Sequence, residues 1–253
     1  MHPLSQLMRD YTYEFVNRHD TAVCDRLMAD DYELHTGGLV LHGRDDGYKP
    51  ASQSVYDRFP TLTFTVHRLV SNGDRVALHF SEHGLSVSGR AACWAGIALY
   101  EWDGSRLTRC WVEQDFWARY WQLKDGMPNA VEPPGLDPWS PPPSPPCPAA
   151  EAAVRSWLDG LDARAASLPC ADDNWTAQRG LPALSPTRLV VNDLFSAGPT
   201  VCFHVTQFGM AGSGQEVGLH LAGIATAGPR DKVHPVRIIS SRAEAFRAGA
   251  APG

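Results

Sequence analysis

The sequence has no run of lysines and arginines, and its 22 basic residues are outnumbered by 28 acidic ones, for a formal net charge of −6. It therefore offers no electrostatic footprint for nucleic acid or for an anionic membrane surface, and neither partner is expected. No apolar run approaches the roughly 20 residues that span a bilayer, and residues 1–10 lack the charged-then-apolar layout of a signal peptide. A cytoplasmic protein is the expectation. No two of the six cysteines (Cys24, Cys93, Cys110, Cys147, Cys170 and Cys202) form a C-x-x-C pair. Such scatter suits reduced thiols better than a disulfide framework or a zinc site.

What the chain has in excess, locally, is proline. Half of its 20 prolines fall within residues 124–148, including Pro141-Pro142-Pro143-Ser144-Pro145-Pro146. A segment missing so many backbone donors does not belong to a packed helix or a central strand, so it reads as a stiff, extended linker. A length of 253 residues allows one large domain or two of ordinary size, and the proline cluster favours two.

Before the linker, apolar residues at Leu4, Leu7, Met8, Tyr11, Phe15 and Val16 recur at helical spacing, which predicts a helix over 4–19. A second helical run covers 21–28, a strand and loop cover 32–40, and a third helix with its approach covers 45–59. From residue 61 the period changes to two. Strands are predicted at 61–70, 75–83, 91–102 and 107–115, parted by Ser71-Asn72-Gly73-Asp74, by 84–89 and by Asp103-Gly104. Helical runs followed by a four-strand meander describe an α+β fold, a curved, mainly antiparallel sheet with helices gathered on one face. Such a sheet, when curled, makes a cone with one open end.

The pattern returns after the linker. Arg75-Val76-Ala77-Leu78-His79-Phe80 is echoed by Thr200-Val201-Cys202-Phe203-His204-Val205, Trp94-Ala95-Gly96-Ile97-Ala98 by Leu221-Ala222-Gly223-Ile224-Ala225, and Ala29-Asp30-Asp31 by Ala171-Asp172-Asp173. The order is kept, so a tandem duplication is expected: a domain at 1–123, a linker at 124–148 and a truncated copy at 149–253. The second copy is shorter in the stretch corresponding to 43–60.

Three stretches of the first copy resemble the SnoaL-like domain of the nuclear-transport-factor-two-like superfamily. They are Asn17-Arg18-His19-Asp20 with Ala29-Asp30-Asp31-Tyr32-Glu33-Leu34-His35; Phe59-Pro60 with Gly73-Asp74-Arg75-Val76; and Trp111, Asp115 and Gln122-Leu123. The resemblance implies a cone-shaped α+β barrel. It leaves the reaction open, because the superfamily includes polyketide cyclases, ketosteroid isomerases, epoxide hydrolases, dehydratases and non-catalytic subunits. At the positions of the ketosteroid isomerase residues this chain has Thr12, Thr36 and Ala98, so that route has no agent.

By the family register, Trp94, Gly96, Ala98, Tyr100 and Trp102 share the inward face of one strand, and Trp111, Glu113 and Asp115 that of the last. Two carboxylates at i and i+2 lie about 7 Å apart and would perturb one another inside an apolar cone. Asp115 is the expected acid/base, Glu113 its tuning partner and His35 a proton shuttle, the last because family members commonly carry a histidine there. Alternatively, Asp115 caps the helix 116–123, or pairs with an arginine such as Arg119. Expected substrate contacts are Tyr13, Trp94, Tyr100, Trp111 and His79, although the echo of His79 in His204 also suits a role in the sheet. Five of the eight tryptophans fall between Trp94 and Trp121, enough for an aromatic lining.

A three-histidine set of His35, His79 and His83 has no diagnostic spacing, so no metal and no cofactor are expected. The expected function is a cofactor-independent acid–base enzyme (cyclase, dehydratase, isomerase or epoxide hydrolase) acting on a small hydrophobic polyketide-, terpenoid- or steroid-like molecule. The alternative is a non-catalytic ligand-binding or accessory subunit of the same fold. The second copy lacks both carboxylates at the equivalent positions. Its expected role is to cover the sheet of the first in an intramolecular pseudo-dimer, with a homodimer as a further possibility.

Overall fold

The computed structural model describes residues 1–162, 184–185, 187–229 and 232–249. The Ala171-Asp172-Asp173 echo and Cys170 lie outside the described residues. Helix α1 (Pro3–Asp10) starts on His2, whose ring accepts from the Leu4 N–H at 3.3 Å, with proline in the first turn. It buries Leu4, Leu7 and Met8 and runs on as a π-helical turn, Tyr11–Val16. Asn17 then ties the helix to the sheet: Nδ2 donates to the Phe64 carbonyl at 3.1 Å and Oδ1 accepts from the Phe64 N–H at 2.6 Å. Short α2 (Cys24–Leu27) leads into β1 (Met28–Thr36), which turns through Gly37, at φ 54°, into β2 (Leu39–His42). Helix α3 (Lys49–Arg58) closes the helical wall.

The meander follows the expected order: β3 (Thr63–Ser71), β4 (Arg75–Leu85), β5 (Ala91–Trp102) and β6 (Leu107–Gln114), then α4 (Phe116–Asp125). The sheet order is β2-β1-β6-β5-β4-β3, with β1 parallel to β6 and the other pairs antiparallel. In the middle, Gly96 faces Phe80 across the β4–β5 ladder, and a Cβ there would run into the Phe80 ring. The glycine is required for that ring to lie flat against the strand.

The proline-rich segment is not a free tether. Gly135 donates to the Val66 carbonyl and Ser144 to the Ser71 carbonyl, both at 3.0 Å, so the segment covers part of the edge strand β3. Trp139 is buried within the first core, its ring 5.9 Å from that of Tyr13.

Helix α5 (Pro148–Asp162) packs on a second sheet, β7 (Thr187–Ala197), β8 (Thr200–Met210), β9 (Glu216–Ala227) and β10 (Val233–Ile239), in the order β10-β9-β8-β7, followed by α6 (Ala243–Arg247). Strands β8 and β9 have the lengths of β4 and β5, 11 and 12 residues, and lie 125 positions later. Each sheet also has a bulge at the corresponding place, Val66/Arg68 in β3 and Val191/Asp193 in β7. Gly223 meets the Phe203 ring as Gly96 meets that of Phe80.

The outer faces of the two sheets meet. Val70, Ala77, Cys93, Ala95, Ile97 and Leu99 of the first form one buried cluster with Phe195, Ala197, Cys202, Ala222, Ile224 and Ile239 of the second. No described helix is long and apolar enough to cross a membrane.

Candidate active site

The concave face of the first sheet and its helical wall enclose a cavity of about 280 Å³. Strand alternation determines its lining. Leu34 and Thr36 of β1, Phe80 and Glu82 of β4, Tyr100 of β5, and Cys110, Val112 and Gln114 of β6 point into it, opposite Tyr11, Phe15, Tyr48 and Tyr56 of the wall. Phe116 and Arg119 of α4 close one side. The ladder enforces this facing, because Tyr100 pairs with Cys110, Ala98 with Val112, and Gly96 with Gln114.

Glu82 is the one carboxylate among the described residues that line the cavity. Burial among apolar and aromatic groups pushes it up to about 7, against the weaker pull of Arg119, Trp94 and Gln114. The Trp94 indole donates to Gln114 Oε1 at 2.7 Å and holds that amide in place. The Arg119 guanidinium lies 4.3 Å from the Phe116 ring centroid and 4.9 Å from that of Trp94. Burial lowers it to about 10, so it remains a cation at neutral pH. Across the cavity the Tyr11 and Tyr48 hydroxyls hydrogen-bond at 2.8 Å. Burial raises both phenols, and that of Tyr100, well above the ordinary range. They are neutral groups, and the member of the Tyr11–Tyr48 pair that accepts from the other keeps its own proton to donate to a bound oxygen.

The three residues expected to be catalytic lie elsewhere. Glu113 pairs with Ile97 and Trp111 with Leu99 across β5–β6, so Trp111, Glu113 and Asp115 project from the convex face, toward the second sheet. The expected facing of β6 was one residue out of step, and a one-residue slip exchanges the two faces of a strand. Asp115 is fully buried and caps α4, its Oδ1 accepting from the Ala118 N–H at 2.9 Å. It also forms a bidentate ion pair with Arg242 of the second half, whose Nε donates to Oδ1 at 3.2 Å and whose Nη2 meets Oδ2. Arg242, at φ 57°, has a left-handed backbone conformation at the turn into α6. Glu113 Oε1 accepts from the Gly37 N–H at 2.8 Å and lies 3.1 Å from His204 Nε2.

His35 is paired with Trp111 on β1–β6 and stacks on it at 3.8 Å, again on the convex side; burial lowers its pKa. His79 lies there as well, against Arg237, 3.7 Å from Glu132 of the linker, and burial keeps it neutral. Tyr13 is 47% exposed on the outside of the helical wall, beneath Arg9. Trp94 belongs to the first core, where it supports Gln114 and Arg119. Of the expected contacts, Tyr100 lines the cavity.

The sequence reading missed Glu82. Its signal was the one carboxylate of β4, sharing the strand parity of Val76, Leu78 and Phe80 and directly across the ladder from Trp94.

Residues 9–110 match the family model described as the SnoaL-like domain. No curated protein matches the sequence. Among solved structures, a candidate polyketide cyclase from Acidithiobacillus ferrooxidans is 23% identical over 48% of this chain and 94% of its own, with a TM-score of 0.43. TsrD from Streptomyces laurentii is 22% identical over 48% and 94%, with a TM-score of 0.44. IdmH, a candidate polyketide cyclase from Streptomyces antibioticus, is 22% identical over 50% and 99%, with a TM-score of 0.42.

Proposed function

We propose, from the match of residues 9–110 to the SnoaL-like domain model, that the cavity is the active site of a cofactor-independent acid–base enzyme acting on a small, hydrophobic, ring-containing molecule of polyketide, terpenoid or steroid type. The observation that carries the proposal is Glu82: a single carboxyl in an apolar, phenol-lined cavity, raised to about 7 by burial. A general acid or base works best when its pKa lies near the working pH. Glu82 then holds a proton in about half the molecules at neutral pH, and a bound substrate meets either form.

In the anionic form Glu82 takes a proton from an acidic C–H or O–H of the substrate. The carboxylic acid returns it at another atom, the net change of an isomerisation, an aldol-type cyclisation or a dehydration. Charge that develops on a substrate oxygen is met by the remaining hydroxyl proton of the Tyr11–Tyr48 pair on one side of the cavity or by the Arg119 cation on the other, fixed before the reaction starts. The apolar walls bury the rings and keep bulk water from the carboxyl.

The second half, in this proposal, is a tandem copy of the first without a site of its own. It covers the convex face of the first sheet as the other half of a pseudo-dimer, with the boundaries at 1–123, 124–148 and 149–253, in a cytoplasmic protein.

The test begins with a panel of aromatic polyketides, terpenoid epoxides and steroids screened for thermal stabilisation, because bound ligand raises the melting temperature by mass action. The stabilising compounds are then assayed for turnover by the native chain and by Glu82→Gln. The proposal expects turnover to fall by about 10²–10⁴-fold in the variant while the ligand still binds. Ligand binding without turnover by the native chain would reduce the protein to a binding subunit, and undiminished turnover by Glu82→Gln would remove the carboxyl from the mechanism.

A further inference from the structure

The convex face of the first sheet carries a second cluster that the cavity does not use. Glu113 of β6, His204 of β8 and His220 of β9 each present one ligating atom, and these atoms all lie within 4.8 Å of one another. Glu113 and His204 are buried and His220 is partly so. Glu113 Oε1 is held by the Gly37 N–H, whereas Oε2 is buried with no hydrogen-bond partner. An orphaned carboxylate oxygen in the interior is costly unless something cationic approaches it.

The shell behind the histidines is already built. Asn192 lies 3.0 Å from His204 Nδ1 and 2.7 Å from Thr206 Oγ1, through the same atom of its amide. Thr206 Oγ1 lies 3.0 Å from His220 Nδ1. The two ends of an amide are interchangeable by a flip, so this atom serves equally as an oxygen that accepts from His204 Nδ1–H and from the Thr206 hydroxyl. Thr206 then accepts from His220 Nδ1–H. With both Nδ1 positions engaged, both Nε2 atoms are left to face the ligand position; His204 Nε2 lies 3.1 Å from Glu113 Oε1, and a metal ion would displace the proton those two atoms share. Beside the cluster a cavity of about 20 Å³, lined by Gly37, Gly218, His220, Ser240, Arg242 and Glu244, has room for one small species. Glu244 adds a second carboxylate at its rim, and the Arg242 cation is already paired with Asp115.

We propose that Glu113, His204 and His220 form a binding site for one divalent transition-metal ion of the zinc class, clasping the two sheets together. One carboxylate and two imidazoles are a common three-residue zinc set, and the small cavity supplies an open fourth position. Tetrahedral zinc with bonds of about 2.0–2.1 Å holds its ligand atoms about 3.4 Å apart, so the ion draws the three side chains inward by small rotations. Because the site joins the halves, binding stabilises the whole chain. The site is independent of the cavity at Glu82, on the other face of the sheet.

The test uses the full chain, stripped with chelator and titrated with Zn²⁺ and with Co²⁺. One equivalent of Co²⁺ should bind with the visible absorption of a four-coordinate ion. Zn²⁺ at about a hundred times Kd should raise the melting temperature by about 5–10 °C. In His220→Ala, folded in the absence of metal, both responses should be lost, and Glu113→Gln should weaken binding at least tenfold. Glu113→Gln is informative only when folded, and the partly exposed His220→Ala decides the matter if it is not. Absence of stoichiometric Co²⁺ or Zn²⁺ binding by the native chain, or equal binding by His220→Ala, overturns the proposal.

Discussion

Glu82 carries two consequences that differ in sign from those of an ordinary surface carboxylate. Its pKa rises on folding, from about 4.5 to about 7, so between those values the native state binds the proton more tightly than the unfolded chain does. Stability therefore falls as pH rises from about 4.5 to 7, and the buried anion remains a cost above that range. Glu82→Gln is predicted to raise stability at pH 8 by about 2 kcal/mol and to leave it unchanged at pH 4, as read by urea denaturation at the two pH values. Equal effects at both would deny the shift. Asp115 and Arg242 make the opposite kind of site, a buried charge pair whose separation leaves one charge stranded. Arg242→Met alone is predicted to cost about 3–5 kcal/mol, and the double variant Asp115→Asn/Arg242→Met to recover part of that loss in a denaturation series. Asp115 was legible from the sequence as a helix cap, because capping is local. Its arginine lies 127 positions away in the other half, beyond the reach of any short-range pattern.

Elements were more legible than the directions of their side chains. The helix over 4–19, the hairpin signals at 71–74 and 103–104 and the four strands of the meander all rest on local periodicity, and they recur as α1 with its π-helical turn and β3–β6. The facing of β6 does not rest on local periodicity. Cys110 to Asp115 runs three apolar residues and then three polar ones, so each parity holds both kinds, and the ladder to β5 decides between them by pairing Tyr100 with Cys110. The same ladders explain the echoed glycines. Gly96 and Gly223 each lie under a phenylalanine ring of the neighbouring strand, where a methyl group has no room. Gly96→Ala and Gly223→Ala are each predicted to cost at least about 2 kcal/mol through displaced rings, with the Gly96 change also reducing ligand binding because Phe80 lines the cavity. A neutral effect on denaturation midpoints would contradict this packing.

At the scale of the molecule, the two sheets bury one another's convex faces. Polar links reinforce the apolar cluster: Arg75 pairs with Asp193, Asn72 donates to the Ser196 carbonyl at 3.0 Å, and Arg237 reaches Glu132 of the linker at 2.9 Å. A chain ending at Gly126 would expose Ile97, Leu99 and Trp111 and strand Glu113 and Asp115. It is predicted to self-associate or to lose most of its stability, and a stable monomer in sedimentation would contradict the proposed pseudo-dimer. The echo of the first sheet's strands in the second half was legible in the sequence because it rests on local motifs kept in order, such as Trp94–Ala98 and Leu221–Ala225, whereas the chemistry of the interface was not, since its pairs join residues more than 100 positions apart. One face of the first sheet thus holds the halves together and the other encloses the proposed site. The most direct test of that division is a carbon-13 titration of the glutamate carboxyls in the full chain, with Glu82→Gln used for assignment. The account predicts one resonance, absent from the variant, that titrates near 7. A Glu82 resonance titrating below about 5, in the ordinary carboxylate range, would contradict it.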